Sequence, residues 1–176
     1  MGTLGDWGTT VAERALPLPC DDLVPGAHTH LNRAVDVHAP AATVFPWLCQ
    51  LRVAPYSYDT LDNLGRQSPQ TLTPGLEELA VGQRIASIFR ITAFETGRSL
   101  TMVTRHPLFG HVGCTYLAAP APGGDPGRSR LLVRFVVRYP GLPFGPVMRL
   151  VLPPGDLVMA RRQLLNLKGL AEAQAR

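Results

Sequence analysis

Lysine is nearly absent from this chain: of its 17 basic residues only Lys168 is lysine, and the rest are arginine. Charge is scarce too, at 17% of residues, and aromatic side chains make up 7%. With 45% hydrophobic residues, such a chain can bury enough apolar surface to fold, which excludes a disordered, self-repelling segment. The bias to Arg, Ala, Gly and Pro is that of a GC-rich genome. The arginines are scattered, with only Arg161 and Arg162 adjacent, so a net charge of +4 makes no basic stripe along the chain, and nucleic acid is not an expected partner. The three cysteines, Cys20, Cys49 and Cys114, form no Cys-x-x-Cys pair, which argues against a disulfide framework and for a reducing compartment, so a cytoplasmic protein is expected. No apolar run approaches the roughly 18 residues that span a bilayer. The N-terminal residues lack a basic start followed by a continuous apolar stretch, so no secretory signal is expected.

Chemical signatures are also missing. There is no Gly-x-Ser-x-Gly, no phosphate-cradling glycine loop and no nucleotide fingerprint, and no cofactor is expected. His28, His30 and His38 lie close in sequence, but no Cys or acidic residue falls at ligand spacing, so no metal is expected.

What is present has a clear order. Residues 1–30, with Pro17, Pro19 and Pro25, show no sustained period and read as a leader that lies over the domain or frays. The domain itself spans 31–176. In LNRAVDVH, Leu31, Arg33, Val35 and Val37 alternate with polar or small residues, the period of a strand with one largely apolar face. Pro40 then opens a short amphipathic helix carrying Val44, Leu48 and Leu51, with Pro46 inside it. YSYDTLDNLGR reads as a second short helix, with Ser57 as N-cap, Gly65 as stop and Asp62 spaced to pair with Arg66. Strand candidates follow at QRIASIFRITAF (one strand or two), SLTMVTRH, HVGCTYLAA and RLLVRFVVRY, at the short spacings of antiparallel hairpins. PFGPVMRLVLPP is expected to form a short helix ended by Pro153 and Pro154. A longer helix from Asp156 to about Gln174 carries the stripe Leu157, Ala160, Leu164, Leu167 and Ala171.

This order of strand, two helices, antiparallel strands and long helix resembles the helix-grip fold of the SRPBCC superfamily. That superfamily includes START domains, the major birch pollen allergen and bacterial polyketide cyclases. RAVDVHAPAATVFPWLCQL is similar to its first strand, Ala-Pro junction and Trp-bearing helix. YSYDTLDNLGR, LAVGQRI and PPGDLVMARRQLLNLKGLAE resemble further words of an actinobacterial branch. The resemblance covers 31–174. It implies an α+β fold in which a curved antiparallel sheet wraps around the C-terminal helix and encloses an internal cavity. It also implies a hydrophobic, polyketide- or lipid-like small molecule as partner, held by a monomer or homodimer. Three functions stay open: binding alone, a cyclase, aromatase or dehydratase reaction, or a stress or interaction protein with an incidental cavity.

The candidate wall residues are Tyr56, Asp59, Met102, Tyr116, Phe135 and Leu164. Candidates for proton transfer or charge stabilisation are Tyr58, Asp62, His106 and Arg134. Each has a plainer reading. The Tyr56–Asp62 group also suits helix capping and packing. His106 and His111 bracket a turn and suit simple exposure. Tyr116 suits a core aromatic. Arg134 and Arg138 point inward, needing a ligand or an aspartate such as Asp59 or Asp62, if their face of the strand is concave. The opposite face is apolar throughout, which favours the convex placement.

Overall fold

The computed structural model describes residues 4–176, apart from the side chain of Leu61. Seven strands build one curved sheet: β1 (Asp6–Trp7), β2 (Thr29–Val37), β3 (Arg84–Ile85), β4 (Phe89–Glu95), β5 (Ser99–His106), β6 (Gly110–Pro120) and β7 (Ser129–Arg138). Their spatial order is β1-β2-β7-β6-β5-β4-β3. Every pairing is antiparallel except β1 with β2. The sheet is open, and its two edges are strands of two residues.

Alternation sorts the side chains onto two faces. On the concave face Leu100, Met102, Cys114, Tyr116, Leu131 and Val133 pack with Val44, Phe45 and Leu48 of α2 (Ala41–Cys49) and with Leu164, Leu167 and Ala171 of α4 (Phe144–Gln174). This is the helix-grip arrangement. On the convex face Ala34, Leu132 and Val136 are covered by Leu18, Cys20 and Val24 of the leader. The leader comes so close that a Cβ on Gly113 would sit 3.2 Å from Val24 and 3.3 Å from Leu23. Its short helix α1 (Val11–Ala15) starts with a reciprocal cap: Glu13 N–H donates to Thr10 Oγ1 (3.1 Å) and Thr10 N–H to Glu13 Oε2 (2.7 Å).

Several local expectations are narrowed or corrected. QRIASIFRITAF holds two strands, because Ala86 and Ser87 turn through the left-handed region with φ of 45° and 62°. The second short helix shrinks to α3 (Asp59–Asp62), capped at Tyr58 without a side-chain bond. Ser57 is not its cap, since its hydroxyl bonds Asp62 instead, and Asp62 forms no ion pair with Arg66. The two expected C-terminal helices are one: α4 runs 31 residues straight through Pro153 and Pro154. Each proline removes a donor to the carbonyl four residues back. Those carbonyls belong to Arg149 and Leu150, which are exposed, so water can satisfy them and the helix need not stop.

Candidate functional site

An apolar cleft of about 340 Å³ lies between the N-terminal half of α4 and the sheet. Its floor is the concave face at the ends of the central strands: Thr104, Val112, Phe135 and Val137. Met148, Val151, Leu152, Gly155 and Met159 of α4 form the roof. Ile88 and Phe89, after the strained Ala86–Ser87 turn, and Phe109 of the β5–β6 hairpin close the sides. Ile88 and Phe89 also line a second cleft of about 320 Å³, bordered by Leu51, Pro55 and Asp62. These two side chains form the partition between the spaces.

One ionisable group faces the apolar cleft: Asp156. Its Oδ2 accepts from Arg33 Nη2 at 2.9 Å. Arg33 lies on the concave side of β2 and is fully buried. Its guanidinium also donates to the carbonyls of Leu4 (2.9 Å), Gly5 (2.6 Å) and Asn32 (3.0 Å), while Nε has no hydrogen-bond partner among the described residues. Burial pushes the Asp156 carboxyl up to about 6, against the opposing pull of Arg33. The group therefore changes charge close to neutral pH while remaining tied to a fixed cation.

Behind the cleft, Tyr116 meets Phe135 edge-on, with ring centres 6.3 Å apart. Its hydroxyl donates to Gln163 Oε1 (2.6 Å), and Gln163 Nε2 donates to the Pro55 carbonyl (2.6 Å). Burial drives the Tyr116 phenol far above its usual range, so it stays a neutral donor. This chain, with Asn166 donating to the Tyr56 carbonyl at 2.8 Å, ties α4 to the loop before α3.

The other candidates scatter. Phe135 lines the cleft and Tyr116 sits one layer behind it. Met102 and Leu164 are sealed in the core. Tyr56 is buried edge-on against Trp47 (6.3 Å), held at a φ of 56°, and its hydroxyl has no partner among the described residues. Tyr58 is exposed on the outer side. Asp59 accepts from the Ser68 backbone (2.9 Å) and hydroxyl (2.5 Å), and these bonds hold its carboxyl below its ordinary value despite desolvation. Asp62 borders the second cleft. His106 stacks on Phe109 (4.9 Å) but lines a separate groove with Arg105 and Arg138.

Arg134 lies on the convex face, away from the cleft. It neither meets Asp59 nor Asp62, but donates to Asp21 (2.8 Å), Asn32 (2.8 Å) and the carbonyls of Glu13, Arg14 and Leu16. Its five donors thus close the C-terminal end of α1 and fasten the leader to the sheet. Asp156 and Arg33 were not candidates, yet each left a signal. Asp156 is the lone acidic residue between Asp125 and Glu172, and Arg33 interrupts the apolar face of LNRAVDV.

No family model matches the chain, and no curated protein matches it in sequence. Solved structures do. The ZhuI aromatase/cyclase from Streptomyces sp. R1128 is similar with a TM-score of 0.54 at 19% identity, over 84% of this chain and 95% of that one. BexL, a di-domain ARO/CYC of the BE-7585A biosynthetic pathway, aligns with a TM-score of 0.55 at 12% identity, over 82% of this chain and 47% of its own. A protein from Chromobacterium violaceum aligns with a TM-score of 0.51 at 15% identity, over 81% of this chain and 96% of that one. The chain has a helix-grip fold, shared with these structures.

Proposed function

We propose that the cleft under the N-terminal half of α4 binds a hydrophobic small molecule, polyketide- or lipid-like in character, with Asp156 as its polar anchor. The observation that carries this reading is the composition of the cleft: an apolar space of about 340 Å³ lined, among the described residues, by a single ionisable residue. Such concave, mostly apolar sites with few placed polar groups are where small ligands bind. The likeness to an aromatase/cyclase and to a di-domain ARO/CYC supports the same reading.

One observation favours a second reading, a cyclase-, aromatase- or dehydratase-type reaction. Asp156 is held near pKa 6 within the cleft, matched to accepting and returning a proton near neutral pH. In that reaction the carboxylate takes a proton from an acidic C–H or O–H of the bound chain, and the same proton returns to the departing or newly formed oxygen. Arg33 is then a positioning residue that holds the carboxylate, and the apolar walls fold the chain into a reactive conformer.

Gly155 provides the test, because a Cβ there meets only open space. Gly155→Phe is expected to fold, to fill the cleft, and to weaken binding of the apolar dye 1-anilinonaphthalene-8-sulfonate about tenfold or more. The dye is also expected to raise the melting temperature of the parent, since a ligand of the native state stabilises it. Equal dye affinity in parent and variant would remove the cleft from consideration and leave an incidental cavity. Asp156→Asn separates the two readings: in a binder it weakens the hold on the ligand and there is no turnover to lose, whereas in an acid–base enzyme the apolar walls still bind the ligand and turnover stops.

A further inference from the structure

Basic residues scattered in sequence come together on the convex face. Arg105 of β5 stands opposite His111 of β6, and His111 stands opposite Arg138 of β7. Strand alternation turns all three away from the cleft, because their neighbours Thr104, Val112 and Val137 line it. Together with His106 they line an open groove of about 430 Å³, walled by Pro25 and Pro140. None of the three takes part in an ion pair among the described residues. Arg138 makes one long bond, to the Pro25 carbonyl at 3.4 Å. Arg105 and Arg138 thus flank His111 from the two adjacent strands, two like charges with one imidazole between them. Desolvation, together with the two guanidiniums, holds the His111 ring below its ordinary pKa.

The groove is also built rather than floppy. Gly110 has a φ of 85°, and a Cβ there would run into the Arg138 carbonyl, so the hairpin turn lies tightly against the end of β7. His106 Nδ1 accepts from the Leu108 N–H at 3.2 Å, which leaves Nε2 to carry the proton of the neutral ring. Two guanidinium forks flanking an imidazole span about two strand spacings, roughly 10 Å before the side chains reach inward. A tetrahedral group with three free oxygens satisfies this set better than a carboxylate with two, and arginine forks match phosphate geometry.

We propose that Arg105, His111 and Arg138, with His106, form a binding site for the phosphate group of a small phosphorylated ligand. The site lies on the opposite face of the sheet from the cleft and does not depend on the reading given to it. A bound dianion offsets the repulsion along the ladder and draws a proton onto His111.

The test follows the His111 ring by NMR as inorganic phosphate is added, with sodium chloride at matched ionic strength as control. Expected are a saturable shift with phosphate alone and a His111 pKa raised by about one unit. Arg105→Gln and Arg138→Gln are each expected to weaken phosphate binding about tenfold. The melting temperature should hold steady or rise, because each substitution also relieves repulsion. No saturable shift, the same shift with chloride, or undiminished binding in both variants would overturn the site. Vesicles of phosphatidylcholine with and without phosphatidic acid identify the source of the phosphate. Sedimentation with the anionic vesicles, lost in the variants, assigns a lipid headgroup. Phosphate binding without sedimentation assigns a soluble ligand.

Discussion

The two halves of α4 are one continuous helix with opposite relations to the sheet. From Ala160 onward it is gripped: Ala160, Leu164, Leu167 and Ala171 are buried against the sheet and α2. Before Met159 it packs more loosely: Met148 and Leu152 touch the cluster of Leu31, Val112, Val137 and Tyr139, while Phe144, Val147, Leu150 and Val151 remain between 52% and 77% exposed. Backbone conformation does not separate the halves, since both are helical although Pro153 and Pro154 both fall in the first. What separates them is the neighbour each face finds. The second half meets buried core side chains, among them Val44, Phe45, Leu48 and Tyr116. The first half meets Phe135, Phe89 and a charged pair, Arg33–Asp156, which cannot be packed over like a leucine. The cleft exists where the helix is gripped less tightly.

The sharpest way to break this contrast is Leu164→Ala, expected to cost about 2–5 kcal/mol in denaturant unfolding, as buried leucines do. A loss below about 0.5 kcal/mol would place the stripe on solvent and dissolve the distinction.

Next in size is the pH dependence set by Asp156. Its carboxyl titrates near 3.8 in an unfolded chain and about 6 in the folded one. The stability it contributes is therefore fully present below about 3.8 and lost as pH rises through about 6. Asp156→Asn, neutral throughout, should lack that decline, so the parent loses about 2–3 kcal/mol relative to the variant across this window. Parallel stability curves for the two proteins would show that the cleft carboxyl titrates normally.

The smallest effect is expected at Leu150→Ala, which removes a side chain that is 77% exposed and should change stability by less than about 0.5 kcal/mol. A loss as large as that at Leu164 would mean that the first half is covered after all.

Much of the architecture was legible because period carries it. The alternation of RLLVRFVVRY separated Leu131, Val133, Phe135 and Val137 from Leu132, Arg134 and Val136, and the two sets do lie on opposite faces. The stripe at Ala160, Leu164, Leu167 and Ala171 was readable in the same way. The site was far less legible. Tyr58 and Asp62 stood out as a cluster of polar residues, but local spacing cannot say which side of a loop faces inward. His106 lies next to the cleft in sequence, through Phe109, yet its side chain belongs to the other groove. Asp156 became a candidate only when β2 brought Arg33 across a separation of 123 residues.

By itself, then, the sequence determined the order of elements, the faces of the long strands and the buried stripe of the last helix. These follow from side-chain alternation along a strand and the 3.6-residue turn of a helix, which are local properties of the backbone. Only the tertiary structure decided that α4 continues through Pro153 and Pro154, that its first half roofs a cleft, and that Arg105, His111 and Arg138 form one row. Those outcomes depend on which groups meet across the sheet and on whether water reaches the carbonyls that proline leaves unpaired. No period in the chain encodes such encounters.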